Sequence, residues 1–332
     1  MTIPLLGPRR RRPHRPGPPP VKLVATKVVA LVAVLAAVTF ATSLLLSLFR
    51  GDIVCTLLQT NCVDEARVEQ VRDDLRLDDP VPVRWLGWLD DARRGDLGIS
   101  YVSGQEVGGL ISARAPVSVA IVVYAQVLAL AGAIPLGILA AHRQGGRLDR
   151  GINTVAFGFL ALPSFILGPV LILVFPFGIG LFRATVDGDV GPLDIDQLFL
   201  PALTLALGQV AVYLRLLRTD MIATLQEDFI GVAKAKGMPV RSILFDHAFR
   251  PSSLNLLTTV GISFGSLIAG AVVVETIFGI SGLGSTLTGA VQQRDLLLVQ
   301  GIVAVAAVAF VLINFVIDLL YTLLDPRIRS AA

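Results

Sequence analysis

The residues able to do chemistry in this chain are few, and their spacing suits none of the common reactions. His14, His142 and His247 stand far apart, with no HExxH, no CxxC and no clustered carboxylates around them. Neither a zinc site nor a facial carboxylate set is on offer. No GxSxG elbow is present, and Gly is never followed by Lys, which excludes a Walker A loop. Gly279–Gly284 reads G-x-x-G-x-G, the reverse of the dinucleotide fingerprint, and it follows an apolar run instead of a strand. A tight turn capping a helix end fits it better. The chain carries no motif for hydrolysing nucleotide and binds no cofactor by any pattern it shows.

The elements that would position any site are set by composition. Of 332 residues, 54% are hydrophobic and 16% charged, and the mean hydropathy is +0.74. A soluble domain is about 25% charged, so an ordinary cytosolic enzyme and a disordered or nucleic-acid-binding chain are excluded. Two cysteines are too few for a disulfide scaffold. Six apolar runs approach the roughly 20 residues needed to cross a bilayer. They are Val28–Phe49, Val117–Ala141, Val155–Phe177, Leu198–Leu214, Leu254–Val274 and Leu296–Leu324. Ten-residue alternation is absent, so the spans are helices and the fold is all-α: a polytopic membrane protein with six transmembrane helices. Pro163, Pro169 and Pro176 predict that the third span is kinked or broken.

Sidedness follows from the basic residues. Six spans put both ends on one side, where 18 Lys and Arg face 7 acidic residues; the other side has 10 against 18. The basic side is the cytoplasm. Residues 1–27, with Arg9–Arg12, Arg15 and Pro16–Pro20, form a cytoplasmic tail that sets topology or touches anionic lipid. Residues 325–332 form a short cytoplasmic C-tail. Arg50–Pro116 is an extracytoplasmic segment in which Cys55 and Cys62 can pair. Arg215, Glu275 and Asp318 are the ionisable groups in or at the spans; the first two snorkel from span ends, and Asp318 can pair with Arg215. So few groups argue against a proton relay. Gln126, Gln209, Asn255, Ser263, Ser266 and Asn314 either line a translocation path or join helices to one another.

Asp220–Pro251 is too long for a simple connection. Its apolar residues recur at spacings of three and four, giving two short amphipathic helices separated by Gly237 and Pro239. Such a hairpin is a docking element or an interfacial helix pair.

Glu227–Gly237 (Glu-Asp-Phe-Ile-Gly-Val-Ala-Lys-Ala-Lys-Gly), continued by His247-Ala248-Phe249-Arg250, resembles the EAA loop of permease subunits in binding-protein-dependent ABC importers. It looks most like the dipeptide/oligopeptide branch, although Gly231 and Val232 replace the Glu and first Ala of the general consensus. Further similar segments are Asp79–Val83 with Trp85 and Trp88, Arg94–Gly98, Ile134–Gly137 with Leu148–Arg150, Glu275–Phe278 with Gly282–Gly284, Arg294-Asp295 with Gln300-Gly301, and Leu324–Arg329. The resemblance implies a type I importer permease fold, with residues 117–324 as a five-helix core carrying the coupling loop 220–251. It implies a bacterial cytoplasmic membrane protein with both termini inside. Its partners would be a second permease, two P-loop ATPases that hold the ATP and Mg, and an extracytoplasmic binding protein delivering di- or oligopeptides. Relatives in the branch move nickel, glutathione or sugars. The coupling residues carried over are Glu227, Asp228, Phe229, Gly231, Ala233, Ala235, Lys236, Gly237, His247 and Arg250. A secondary transporter or channel, and a membrane enzyme or scaffold, are the readings from other classes.

Overall fold

The computed structural model describes residues 20–47, 65–74, 76–185 and 190–324. Cys55 and Cys62, residues 1–19 of the Arg/Pro-rich tail, the C-tail and the side chain of Asp318 lie outside the described residues, and the proposed pairings there with them. The described chain is helical: α1 Pro20–Ser47, α2 Glu65–Asp74, α3 Val81–Arg93, α4 Val107–His142, α5 Arg147–Ala161, α6 Ser164–Ile179, α7 Ile195–Leu225, α8 Asp228–Ala235, α9 Val240–Phe278, α10 Leu283–Gln292 and α11 Leu296–Leu324. Among the described residues α4, α7, α9 and α11 are long and apolar enough to cross a membrane, and α5 with α6 makes a fifth span if the bent pair is one. Helix α1 contributes a shorter apolar stretch, Leu31–Leu44.

The core is built on α4 against α7. Ala125, Ala129, Ala133 and Gly137 recur every fourth residue on one side of α4 and are buried. Small residues in that row let the backbones approach closely. A Cβ at Gly137 would lie 3.3 Å from the Leu214 carbonyl oxygen of α7. Tyr213, Leu214 and Leu217 fill the opposite side of the seam and are buried with it.

The third apolar run is broken, as its prolines led one to expect. Helices α5 and α6 meet at 106°. Leu162, forced out of the helical region by the following proline, is extended at φ −93° and ψ 114°. Pro163 then opens α6. Proline alone does not decide this, because Pro116 and Pro135 stay inside α4 and Pro201 inside α7.

Helix α3 docks α1 to the bundle. Trp85 Nε1–H donates to Thr39 Oγ1 at 3.0 Å, and Phe40 meets the Trp85 ring edge-on at 5.3 Å. The turn before α11 is pinned by Asp295, which is buried, accepts the Ser100 hydroxyl and the Leu298 N–H, and so ties α11 to the loop before α4. Burial pushes this carboxyl above the usual aspartate range, against the pull of its hydrogen bonds. A raised value means that its contribution to stability is complete below the ordinary aspartate pKa and is lost as pH climbs through the raised one. Thermal midpoints of the chain and of Asp295→Asn should therefore shift in favour of the wild type as pH falls through that window. A difference that is flat with pH would refute this.

Candidate functional site: coupling loop and polar cleft

The loop after α7 folds back as the amphipathic pattern requires. Helix α8 puts Ile230 and Ala233 inward, where both are buried with Ile243 against Leu225 and Met238. Gly237 has φ +71°, and Met238 N–H returns to the Ala233 carbonyl at 3.2 Å, closing the helix with the left-handed residue that favours glycine. Pro239 precedes the next helix, as the sequence indicated. That helix is not a separate short one. It passes through a π-helical stretch, Ile243–Phe249, and runs on as α9 to Phe278.

The two faces of the loop are distinct. Phe229 is 46% and Val232 55% exposed, and Glu227, Asp228, Gly231, Ala235, Lys236, Gly237 and Arg250 are exposed too. Ala233 instead belongs to the buried side, and His247 is half-buried with Nδ1 3.3 Å from the Ser242 carbonyl oxygen. What remains outward is a patch of apolar and charged side chains on a rigidly seated helix.

Just before the loop, α7 is fixed to α5 by an ion pair that the sequence reading did not find. Arg218 Nε and Nη2 donate to the two oxygens of the buried Asp149 at 2.6 and 2.7 Å. Asp149 also accepts Gly145 N–H and Asn153 Nδ2–H, so its acceptors are filled. Arg215 is exposed, as expected of a span-end residue, and lies over the Phe157 ring at 5.3 Å.

The polar span residues fall into separate places. Gln209 Nε2–H donates to Ser266 Oγ at 3.0 Å, joining α7 to α9. This pair lines a cleft of about 170 Å³ with Ser164, Thr204, Gly208 and Gly270, directly at the break between α5 and α6. Gln126 is buried and accepts the Tyr213 hydroxyl at 3.0 Å, so it joins α4 to α7. Asn255 Nδ2–H donates to Asp220 at 2.9 Å near the loop. Ser263 and Asn314 donate to carbonyls of their own helices, at Thr259 and Phe310. Ser164 and Thr204 were not singled out in the sequence, since a hydroxyl in an apolar helix bonds its own backbone as often as anything else.

Glu275 corrects an expectation. It does not snorkel outward from the end of its span; it is fully buried. One oxygen accepts the Ser118 hydroxyl at 2.6 Å, and the other accepts Gly284 N–H and Ser285 N–H at 2.7 and 3.0 Å. Those amides are unpaired donors at the start of α10, and a carboxylate there completes them. The Gly279–Gly284 turn closes α9 through Ile280 N–H to the Glu275 carbonyl, the helix-capping role expected of it.

With this geometry in view, the comparisons with known proteins fall into place. A family model described as "Binding-protein-dependent transport system inner membrane component" matches residues 133–330. The chain belongs to that family. Over 310 residues it is 33% identical to a probable peptide ABC transporter permease protein of Sinorhizobium fredii, covering 92% of this chain and 98% of the relative. The oligopeptide transport system permease protein AppB of Bacillus subtilis is 34% identical, with 90% of this chain and 96% of that one covered. The nickel import system permease protein NikB of Staphylococcus aureus is 32% identical, with 93% and 92% covered. Among solved structures, a chain from inward-facing conformations of the MetNI methionine ABC transporter aligns with a TM-score of 0.53 at 15% identity, covering 65% of this chain and 96% of that one. The fold is that of an ABC importer permease, and this family member is a multi-pass membrane protein.

Proposed function

We propose that the chain is one of two permease subunits of an ATP-driven importer and forms, with its partner, the path for di- or oligopeptides handed over by an extracytoplasmic binding protein. The observation that carries this reading is the seating of α8 on the start of α9 through Ile230, Ala233 and Ile243. A helix with an exposed apolar face is seated on a second helix that runs unbroken into the span bearing Ser266. Two cytoplasmic P-loop ATPases docking on Glu227–Gly237 would displace α8 and α9 as one body. Motion of α9 against α7 would then reshape the cleft holding Gln209 and Ser266, switching access between the two sides. The polar side chains lining the cleft, Ser164, Thr204, Gln209 and Ser266, are all neutral, which suits the amides of a peptide backbone. The peptide permease names of the relatives favour the same solute class.

The reading is tested by purifying the tagged chain in mild detergent from its native host and reconstituting whatever accompanies it. A second permease and two ATPase copies should co-purify, and proteoliposomes should accumulate labelled peptide only with ATP. A homo-oligomer without ATPase would overturn the importer reading. ATP-driven uptake of nickel but not peptide would overturn the solute.

A further inference from the structure

A second cleft lies at the far flank of the bundle, where the end of α1, helix α3 and the start of α11 meet. Its volume is about 380 Å³. Four buried side-chain polar atoms among the described residues have no hydrogen-bond partner, and two of them, Trp88 Nε1 and Gln300 Nε2, belong to walls of this cleft. Both are donors, on side chains only 8% and 6% exposed. An unmet buried donor is costly enough that a bound acceptor is its usual explanation. Arg84, in the same wall, is a half-buried guanidinium with no ion-pair partner in the described structure. Burial pulls its pKa below the ordinary arginine value. Trp88 Nε1, Gln300 Nε2 and the Arg84 guanidinium thus stand in the wall of one cleft without a bonded acceptor, and Arg76 adds a second guanidinium to its lining.

The same cleft carries Asp91 and Asp96, and neither bonds Arg84. Asp96 accepts Gly98 N–H at 2.8 Å through one oxygen and keeps the other. Two carboxylates would repel a simple anion; a ligand with a positive and a negative end satisfies both sets. The location narrows the source. Helix α1 packs on α11 and α3, and its Val32, Val34 and, beside the cleft, Leu44 are exposed, so its outer side is apolar along its length as a lipid-facing helix requires. The polar cleft at the α5–α6 break is formed by other helices. Ser43 near the end of α1 and Leu296 at the start of α11 both line the cleft, which places it at the ends of these two helices, level with headgroups. A tryptophan at that depth is the common interfacial anchor.

We propose that this cleft binds the headgroup of a zwitterionic phospholipid, with the phosphate on Arg84, Trp88 and Gln300 and the ammonium on Asp91 and Asp96. The bound lipid fastens α1 and α3 to α11, a role independent of the transported solute.

The test is native mass spectrometry of the full chain, stripped of lipid in detergent and then given phosphatidylethanolamine, phosphatidylglycerol or inorganic phosphate. Phosphatidylethanolamine should be retained at one copy. Arg84→Gln and Trp88→Phe should each weaken retention about tenfold, the size of one hydrogen bond to a charged acceptor. Trp88→Phe keeps an aromatic side chain while removing the indole N–H with its five-membered ring, and it decides the matter should Arg84→Gln fail to fold. Equal retention by wild type and Trp88→Phe would overturn the proposal. Inorganic phosphate displacing the lipid at equal concentration would overturn the lipid source, and phosphatidylglycerol held as tightly would overturn the role of the two aspartates.

Discussion

Gly284→Ala is expected to lower the thermal midpoint by about 5 °C or more and to detach α10 from the end of α9. A Cβ at this position would lie 2.4 Å from Val272 Cα and 3.0 Å from Val272 N, both backbone atoms inside α9. A helix backbone in a packed interior cannot retreat by that distance, so α10 must move instead. Its movement withdraws Gly284 N–H and Ser285 N–H from Glu275. The carboxylate is then left buried with the Ser118 hydroxyl alone. Breaking a buried charged network by removing one side costs about 3–5 kcal/mol, and Glu275→Ala should be comparably damaging because it strands the same amides. Gly289→Ala supplies the control, since the nearest atom to its Cβ would be the Gln293 amide nitrogen at 3.8 Å. It lies in the same helix and should leave the midpoint unchanged or slightly raised. Size-exclusion chromatography of heated detergent extracts reads all three variants. A Gly284→Ala midpoint equal to wild type would mean that α10 does not press on α9.

The same junction shows which features sequence alone makes legible. The apolar runs of α4, α7, α9 and α11 are visible because lipid imposes a length and a composition on any helix that crosses it. The loop after α7 is visible because Gly237 and Pro239 punctuate two amphipathic stretches, and local backbone chemistry depends on neighbours in the chain. Glu275 is different. Its partner Ser118 is 157 residues away, and nothing near Glu275 in the chain distinguishes a buried cap from a snorkelling end. Asp149 and Arg218 are 69 residues apart, and the sequence shows the first only within a family-like segment and the second only as a charge on the basic side. Their pairing depends on α5 lying along α7, which depends on the break at Pro163. The three prolines of the third apolar run point to the break, but proline content does not fix its place, because α4 carries Pro116 and Pro135 without interruption. Helix α4 holds its course through the seam of small residues it buries against α7, whereas Leu162, Pro163 and Phe165 at the break are exposed and no such seam holds α5 to α6.

Val232→Asp is expected to cut recovery of ATPase with the chain by about 30-fold or more, and Phe229→Ala by a similar factor, while both variants insert and purify normally. The argument rests on the two faces of α8. Ile230 and Ala233 hold the helix to Ile243, so they determine whether the loop has a shape. Phe229 and Val232 are three residues apart on the opposite face, exposed, and free of any intramolecular role in the described structure. A hot-spot residue at the centre of a protein interface contributes about 2 kcal/mol or more, which is about 30-fold in affinity. A buried aspartate adds desolvation to that loss. Gly237→Glu should abolish uptake by another route, because φ +71° strains any side-chain-bearing residue and the turn that presents α8 would reorganise. Ile230→Ala separates presentation from contact: it loosens the seat of the helix without touching the exposed face, so protease sensitivity of the loop should rise before ATPase recovery falls. If Val232→Asp and Phe229→Ala recover as much ATPase as wild type while Ile230→Ala does not, the outward face of α8 is not the contact. The docking surface would then have to be sought on the exposed residues of the π-helical stretch, Phe245 and Asp246.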